Sequence, residues 1–323
     1  MDEVDPIAEL ITNYNELNAS VIAELDEEPS PLEFMRFVAK NTPFVVRGAA
    51  SDWTATKTWS ARFLKEHLAD ETVNVAVTPF GNADSPTQHS NGTLIFAKPW
   101  EEDQPFPSFL DYVIQQEKEQ NTSAGEVRYA QTQNDNLRNE YHSLFSHVPP
   151  TIPFARIALQ SPPDAINLWI GNSLSTTALH KDNYENIYVQ VLGRKHFVLL
   201  PPHCQPAVNE HLLKPGSYVR EGETLELKMD DGGSGDVPFA VWDPDRPGEN
   251  ATAYSGMVEP VRVTLEKGDM LYLPAMWYHK VSQSCAGEGI CVAVNYWYDM
   301  DFSGPLYPLT NFVRSVNASK NRI

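Results

Sequence analysis

The stretch Thr177-Ala178-Leu179-His180-Lys181-Asp182 places an imidazole and a carboxylate two residues apart. On an extended segment, positions i and i+2 share a face, so both groups reach toward one point. Together they can hold a metal ion, and a second histidine from elsewhere completes a 2-His-1-carboxylate set. That ligand set suits non-haem Fe(II) and leaves positions open for substrate and oxygen. Nine histidines and forty-three acidic residues in a chain of 323 make a chance His-x-Asp pair unsurprising. The pair therefore takes its meaning from the segments around it.

Glu185 to Gly193 alternates in character and is rich in β-branched and aromatic residues; after Gly193 the pattern resumes from Lys195 to Leu200, ahead of Pro201-Pro202. This reads as a strand, a tight turn and a second strand. Much later, Glu266-Lys267-Gly268-Asp269 is a turn signal before Met270-Leu271-Tyr272-Leu273-Pro274 and Trp277-Tyr278-His279-Lys280-Val281. His279 is the natural third ligand, returned to the first two by a strand of the same small barrel. His196, His203 and His211 are not expected to ligate, since His196 neighbours an inward Lys195 and should point the other way.

Four motifs recur in order: Thr177-x-x-His180-x-Asp182; Gly193-x-Lys195 with Leu200-Pro201-Pro202; Gly268-Asp269-x-Leu271-Tyr272-Leu273-Pro274-x-x-Trp277-x-His279; and Val294-Asn295-Tyr296-Trp297-Tyr298. Together they resemble the jumonji-C 2-oxoglutarate oxygenases. The motifs span roughly residues 155–300, and the N-terminal half matches more loosely. Asn295 to Met300, and Val237-Pro238 leading to Asp243-Pro244, are similar to the lysyl hydroxylases within the small hydroxylase branch.

The resemblance implies a mainly β protein with flanking helices, built on a double-stranded β-helix of the jelly-roll, cupin-like kind. It implies Fe(II) at His180, Asp182 and His279, with 2-oxoglutarate as co-substrate and O2 as oxidant. The far carboxylate of 2-oxoglutarate needs a cation deep in the barrel, for which Lys195 is placed. By the same resemblance Thr177 and Tyr129 donate hydroxyl hydrogen bonds to the co-substrate, and Asn186 and Asn295 organise water or contacts near the iron. The implied reaction decarboxylates 2-oxoglutarate to succinate and CO2 while hydroxylating a substrate carbon. The branch implies (3S)-lysyl hydroxylation of a developmentally regulated GTP-binding protein. The alternatives are demethylation of methylated histone tails and a claimed endopeptidase activity, for which no Ser/His/Asp, Cys/His or zinc-protease signature is evident. Asp243, Asp245 and Asp299 are candidate partners for a substrate ammonium.

The elements that must position these residues follow from local grammar. Asp5-Pro6 and Ser30-Pro31-Leu32-Glu33 start helices near 6–18 and 31–40. Residues 24–28 read as a solvated connector, 43–48 as a short strand, and Ser60 as the cap of a helix through Leu68. A strand over 73–77 precedes a loop over 80–92, whose Gly, Asn, Asp, Ser and Pro favour no packed element. A helix from Ser108 to Glu119, a strand from Val127 to Gln131, an insertion over 228–259 and a closing helix within 302–316 complete the reading. The domain expectation is a flanking region over 1–125, a catalytic barrel over 126–303 and a helical tail over 304–323.

The formal charge of −19 argues against a nucleic-acid partner and favours basic protein partners. No apolar run approaches the length a membrane span requires. The first residues show no secretory leader, and Cys204, Cys285 and Cys291 form no metal spacing or disulfide framework. These features predict a cytoplasmic or nuclear protein with reduced thiols. The N-terminal helices are expected to offer an apolar face for homodimerisation.

Overall fold

The computed structural model describes residues 5–119, 125–230 and 235–320. Its centre is eight strands in two sheets. One sheet carries Met270–Leu273, Tyr184–Leu192, Cys291–Asp299 and Ala165–Gly171 in that order; the other carries Val261–Leu265, Arg194–Leu200, Tyr278–Ser284 and Thr177–Lys181. Every pairing among these eight is antiparallel. The chain passes back and forth between the sheets, which is the double-stranded β-helix expected from the motifs.

The hairpin joining the two sheets' central strands turns on Gly193, whose φ is +68°. A Cβ there would lie 2.8 Å from the Ser284 carbonyl oxygen, so a side chain is excluded by both conformation and space. Inside the barrel, Tyr188, Trp169 and Leu271 of the first sheet pack against Phe197, Val263 and Val281 of the second. The intervening residues Ile187, Val189, Val292 and Val294 join a larger core with Phe34, Phe109 and other N-terminal side chains. Both faces of the first sheet are thus buried, which explains why Tyr184–Leu192 is buried at nearly every position rather than alternately.

The helices Pro6–Leu17, Pro31–Lys40 and Ala61–His67 lie where capping signals placed them, while Phe106–Glu119 starts two residues before the expected Ser108. Asp5 accepts from the Ile7 and Ala8 amides, and Ser30 with Glu33 forms the full capping box. Each such cap stabilises by roughly 1 kcal/mol. The last helix, Leu306–Lys320, covers most of its expected range and runs beyond it.

Three expectations need correction. The stretch read as a loop over 80–92 contains the strand Ser85–Gln88, paired with Leu94–Lys98, whose other edge takes Pro215–Glu221 in parallel. The connector over 24–28 begins with Ala23–Leu25, a strand parallel to Phe44–Val46 that extends the larger sheet. The insertion over 228–259 includes Val237–Ala240, paired with Glu210–Leu213, while its residues 231–234 lie outside the described residues. Ser85–Gln88 is one arm of a local hairpin and the other two strands have partners some twenty or more residues away; in all three, ladder hydrogen bonds outweigh polar local composition. Among the described residues the three cysteines form no disulfide, and no helix is long and apolar enough to cross a membrane.

Candidate metal centre

His180 and His279 are direct cross-strand partners in the smaller sheet. Opposed residues of an antiparallel pair carry their side chains on the same face. Their rings accordingly lie 4.1 Å apart between centroids. Asp182, just past the end of its strand, brings Oδ2 to 3.7 Å from His180 Nε2 and 3.6 Å from His279 Nε2. These separations are too long for hydrogen bonds and slightly wider than the ~3 Å between neighbouring ligand atoms around an ion bonded at ~2.1 Å. A small closure would seat an ion.

The ring orientations favour the same role. His180 Nδ1 lies 2.8 Å from the Ala178 carbonyl oxygen and His279 Nδ1 lies 3.0 Å from that of Trp277. The Nδ1–H of each ring donates to its carbonyl, which turns each Nε2 toward Asp182; burial opposes charge on His180, but Asp182 outweighs it and favours a proton there, whose place a metal ion would take. Among the described residues this is the one group of three such ligands whose donor atoms lie within 4.8 Å of one another. Burial opposes charge at Asp182, but the His180 imidazole outweighs it and holds the carboxyl at about 2. Burial, reinforced by His180, pushes His279 down to about 4. A neutral His279 beside an ionised Asp182 is the protonation pattern metal binding requires.

The turn that delivers His279 is tied from two sides. The Met276 amide donates to the Asp182 carbonyl at 2.7 Å, joining two of the ligand-bearing segments directly. Glu185, 6 % exposed, accepts from the Tyr272 hydroxyl at 2.6 Å and the Ala275 amide at 3.1 Å. Asn41, the left-handed C-cap of Pro31–Lys40, accepts from Trp277 Nε1 at 2.8 Å and donates to the Ala275 carbonyl at 3.0 Å. An N-terminal helix end thereby braces the metal-side turn.

The three ligands open into a cavity of about 420 Å³, counting all space its lining atoms leave free. Lys195 lies in its wall and is 2 % exposed. Its ammonium donates to the Tyr129 hydroxyl at 2.9 Å, and no carboxylate among the described residues is ion-paired with it. Tyr129 gains its place because Gly171 has no side chain: a Cβ there would lie 2.6 Å from the tyrosine ring. Thr177 lines the same cavity. Asn186 and Asn295 also line it, with Asn295 Nδ2 donating to Asn186 Oδ1 at 3.2 Å and Trp169 Nε1 donating to Asn295 Oδ1 at 3.0 Å. All eight candidate residues therefore meet in one chamber.

Sequence reading missed Tyr188 and Phe197 and took Trp297 as core or rim packing, yet all three share this wall. Each lies two positions from a residue already singled out (Asn186, Lys195 and Asn295), so extending the strand alternation by one step finds them. The indole Nε1 of Trp297 is buried without a hydrogen-bond partner. The candidate ammonium partners Asp243 and Asp245 are corrected: both already bind Lys280, at 2.7 Å each, and Asp245 also binds Arg262. Lys280 follows His279 and projects to the opposite face, away from the cavity. Asp299 is exposed at the end of its strand. His196 bonds Thr264 and Ser284, His203 packs on Tyr14, and His211 contacts Asn209, so none joins the metal ligands.

Comparison with known proteins agrees with this geometry. A cupin-like domain model matches residues 29–304. The chain is 36% identical over 279 residues to the Homo sapiens "Bifunctional peptidase and (3S)-lysyl hydroxylase JMJD7", covering 86% of this chain and 84% of that protein. It is also 36% identical over 313 residues to the Arabidopsis thaliana "Lysine-specific demethylase JMJ32", covering 91% and 86%. A Dictyostelium discoideum "JmjC domain-containing protein E" is 31% identical over 317 residues, covering 92% and 89%.

Proposed function

The chain belongs to the cupin-like JmjC family, and from that premise we propose that it is an Fe(II)- and 2-oxoglutarate-dependent protein lysyl hydroxylase. The observation that carries the oxygenase reading is the pairing of the His180–Asp182–His279 triad with a buried ammonium in the same chamber. The donor set, with two fixed imidazoles and one ionised carboxylate, fits Fe(II). When bound, the iron couples oxidative decarboxylation of 2-oxoglutarate to hydroxylation of a substrate carbon, yielding succinate and CO2.

The protein's part is binding and orientation. His180 and His279 present lone pairs because their Nδ1–H groups are held by the backbone. Lys195 meets the far carboxylate of the co-substrate, and the Tyr129 hydroxyl, already positioned by Lys195, adds a second donor. A buried cation without an anion is costly, so the chamber gains when a dianionic co-substrate enters. Thr177 offers a hydroxyl from the strand that carries His180. Asn186 and Asn295, bonded to each other, hold the polar part of the wall against collapse and orient water there.

Hydroxylation at C3 of a lysine is supported by the human relative named as a (3S)-lysyl hydroxylase and by a net charge of −19 that attracts basic segments, and the developmentally regulated GTP-binding protein is the substrate the family resemblance implies. The demethylase named among the relatives is equally identical, which makes methyl-lysine the competing substrate. Lysine peptides from that GTPase class and methylated histone peptides, offered side by side with Fe(II) and 2-oxoglutarate, separate the two by mass spectrometry. Gain of one oxygen on the GTPase lysine is expected. Loss of a methylene from the histone peptide, with no oxygen gained on the GTPase lysine, rejects the hydroxylase reading.

A further inference from the structure

The metal chamber has a side branch. Gln133, Thr177 and His180 line both the chamber and an adjoining cleft of about 860 Å³, counting all free space. The cleft's far wall carries Asp84, Glu101, Phe96 and Phe239. The two phenylalanine rings lie 5.2 Å apart between centroids and form an apolar pair beside the carboxylates. Asp84 is half-buried and accepts one hydrogen bond, from Gln131 Nε2 at 3.2 Å. The nearby Lys98 is committed to Asp230 at 2.6 Å, and among the described residues neither Asp84 nor Glu101 has a cation within ion-pair distance. Burial, with the Glu101 charge added, pushes the Asp84 carboxyl above the usual carboxylate range. A neighbouring positive charge would relieve this.

We propose that this cleft receives the ammonium end of the substrate lysine, with Asp84 as its hydrogen-bonding anion, Glu101 as the outer charge, and Phe96 and Phe239 against the aliphatic stem. The inference rests on the lysyl reading of the preceding section and adds the residues that would enforce it. A lysine stem is apolar along its length and charged at its tip, which matches an aromatic wall ending in carboxylates. With the tip drawn into the side branch, a carbon nearer the backbone faces the metal. A demethylase needs the opposite arrangement, with the N-methyl group at the metal. Methylation also removes N–H donors that Asp84 would accept, so the cleft selects the unmethylated side chain.

The test uses the full chain loaded anaerobically with Fe(II) and 2-oxoglutarate. The probes are N-acetyl-lysine methylamide and its norleucine counterpart, which has the same stem without the charge, and binding is read by ligand-observed NMR. The unaltered protein is expected to prefer the lysine probe by about tenfold or more, the range for a charge-assisted hydrogen bond. Asp84→Asn should remove most of that preference and Glu101→Gln should reduce it severalfold. Asparagine tolerates the φ of +51° at position 84 and keeps an acceptor for Gln131, so this variant should fold. If it does not fold, Glu101→Gln at its exposed position decides, and an unchanged preference there overturns the proposal. Equal binding of the two probes to the unaltered protein, or a full preference retained in Asp84→Asn, also overturns it. A persisting lysine preference with no oxygen added to any lysine peptide would instead reject the hydroxylase reading and leave the cleft assignment standing.

Discussion

Replacing Lys195 with methionine keeps most of the length of the side chain and removes its charge, and co-substrate affinity should then fall far more than stability. The side chain is 2 % exposed, and the Tyr129 hydroxyl, at 2.9 Å, is its hydrogen-bond acceptor. Exchanging buried charge for apolar volume is neutral or stabilising by up to about 4 kcal/mol. Against this, Tyr129 loses a donor, at a cost of about 1 kcal/mol. The metal-loaded protein without co-substrate should therefore change by between about −1 and +3 kcal/mol, with positive values meaning greater stability. Co-substrate binding loses a buried charge pair, about 2 to 5 kcal/mol, which raises the 2-oxoglutarate Kd by roughly 30- to 5000-fold. Anaerobic urea unfolding with Fe(II), with and without 2-oxoglutarate, reads both quantities. Saturating co-substrate should raise the midpoint of the unaltered protein by mass action and leave Lys195→Met nearly unmoved at the same concentration. A co-substrate shift equal to that of the unaltered protein would show that Lys195 does not face the anion. A loss above about 3 kcal/mol without co-substrate would show that the ammonium is a satisfied structural group.

His180→Ala and His279→Ala each remove one of three ligands, so neither variant should retain iron through gel filtration; a full equivalent of iron with normal turnover in either would refute the triad. His203, packed on Tyr14 with its Nε2 unpartnered, is pushed by burial from 6.5 down to about 4. Between those values the unfolded chain takes up a proton that the fold refuses. Stability should then decline as pH falls through 6.5 and level off below about 4, losing about 3 kcal/mol in all. His203→Phe should flatten that part of the urea-midpoint profile, and an unchanged slope in the variant refutes the assignment. Leu10 and Leu17 of the first helix are exposed, in keeping with the expected self-association; a monomer at every micromolar concentration in sedimentation would reject it.

Local chemistry together with the surrounding motifs was enough to single out the candidate metal ligands, because His180 and Asp182 share a face through strand alternation and His279 stands in a motif of unusual length. The helix starts at Pro6 and Pro31 were legible for a similar reason: a cap is made by residues within a few positions of each other. Lys195 was legible as an inward cation because alternation set it on the face opposite His196. What local chemistry cannot encode is which distant strand completes a ladder. Ser85–Gln88 has a turn's composition and becomes one arm of a hairpin with Leu94–Lys98, whose other edge is held by the distant Pro215–Glu221. Asp243 and Asp245 looked available for a substrate ammonium until the fold brought Lys280 between them. Asp84, in a segment that reads as loop, acquires an unbalanced charge beside the metal chamber only when the barrel closes around it. Each candidate ligand was therefore marked by residues a few positions from it, whereas burial and charge compensation depend on neighbours tens to hundreds of residues away, and only the tertiary structure decides those.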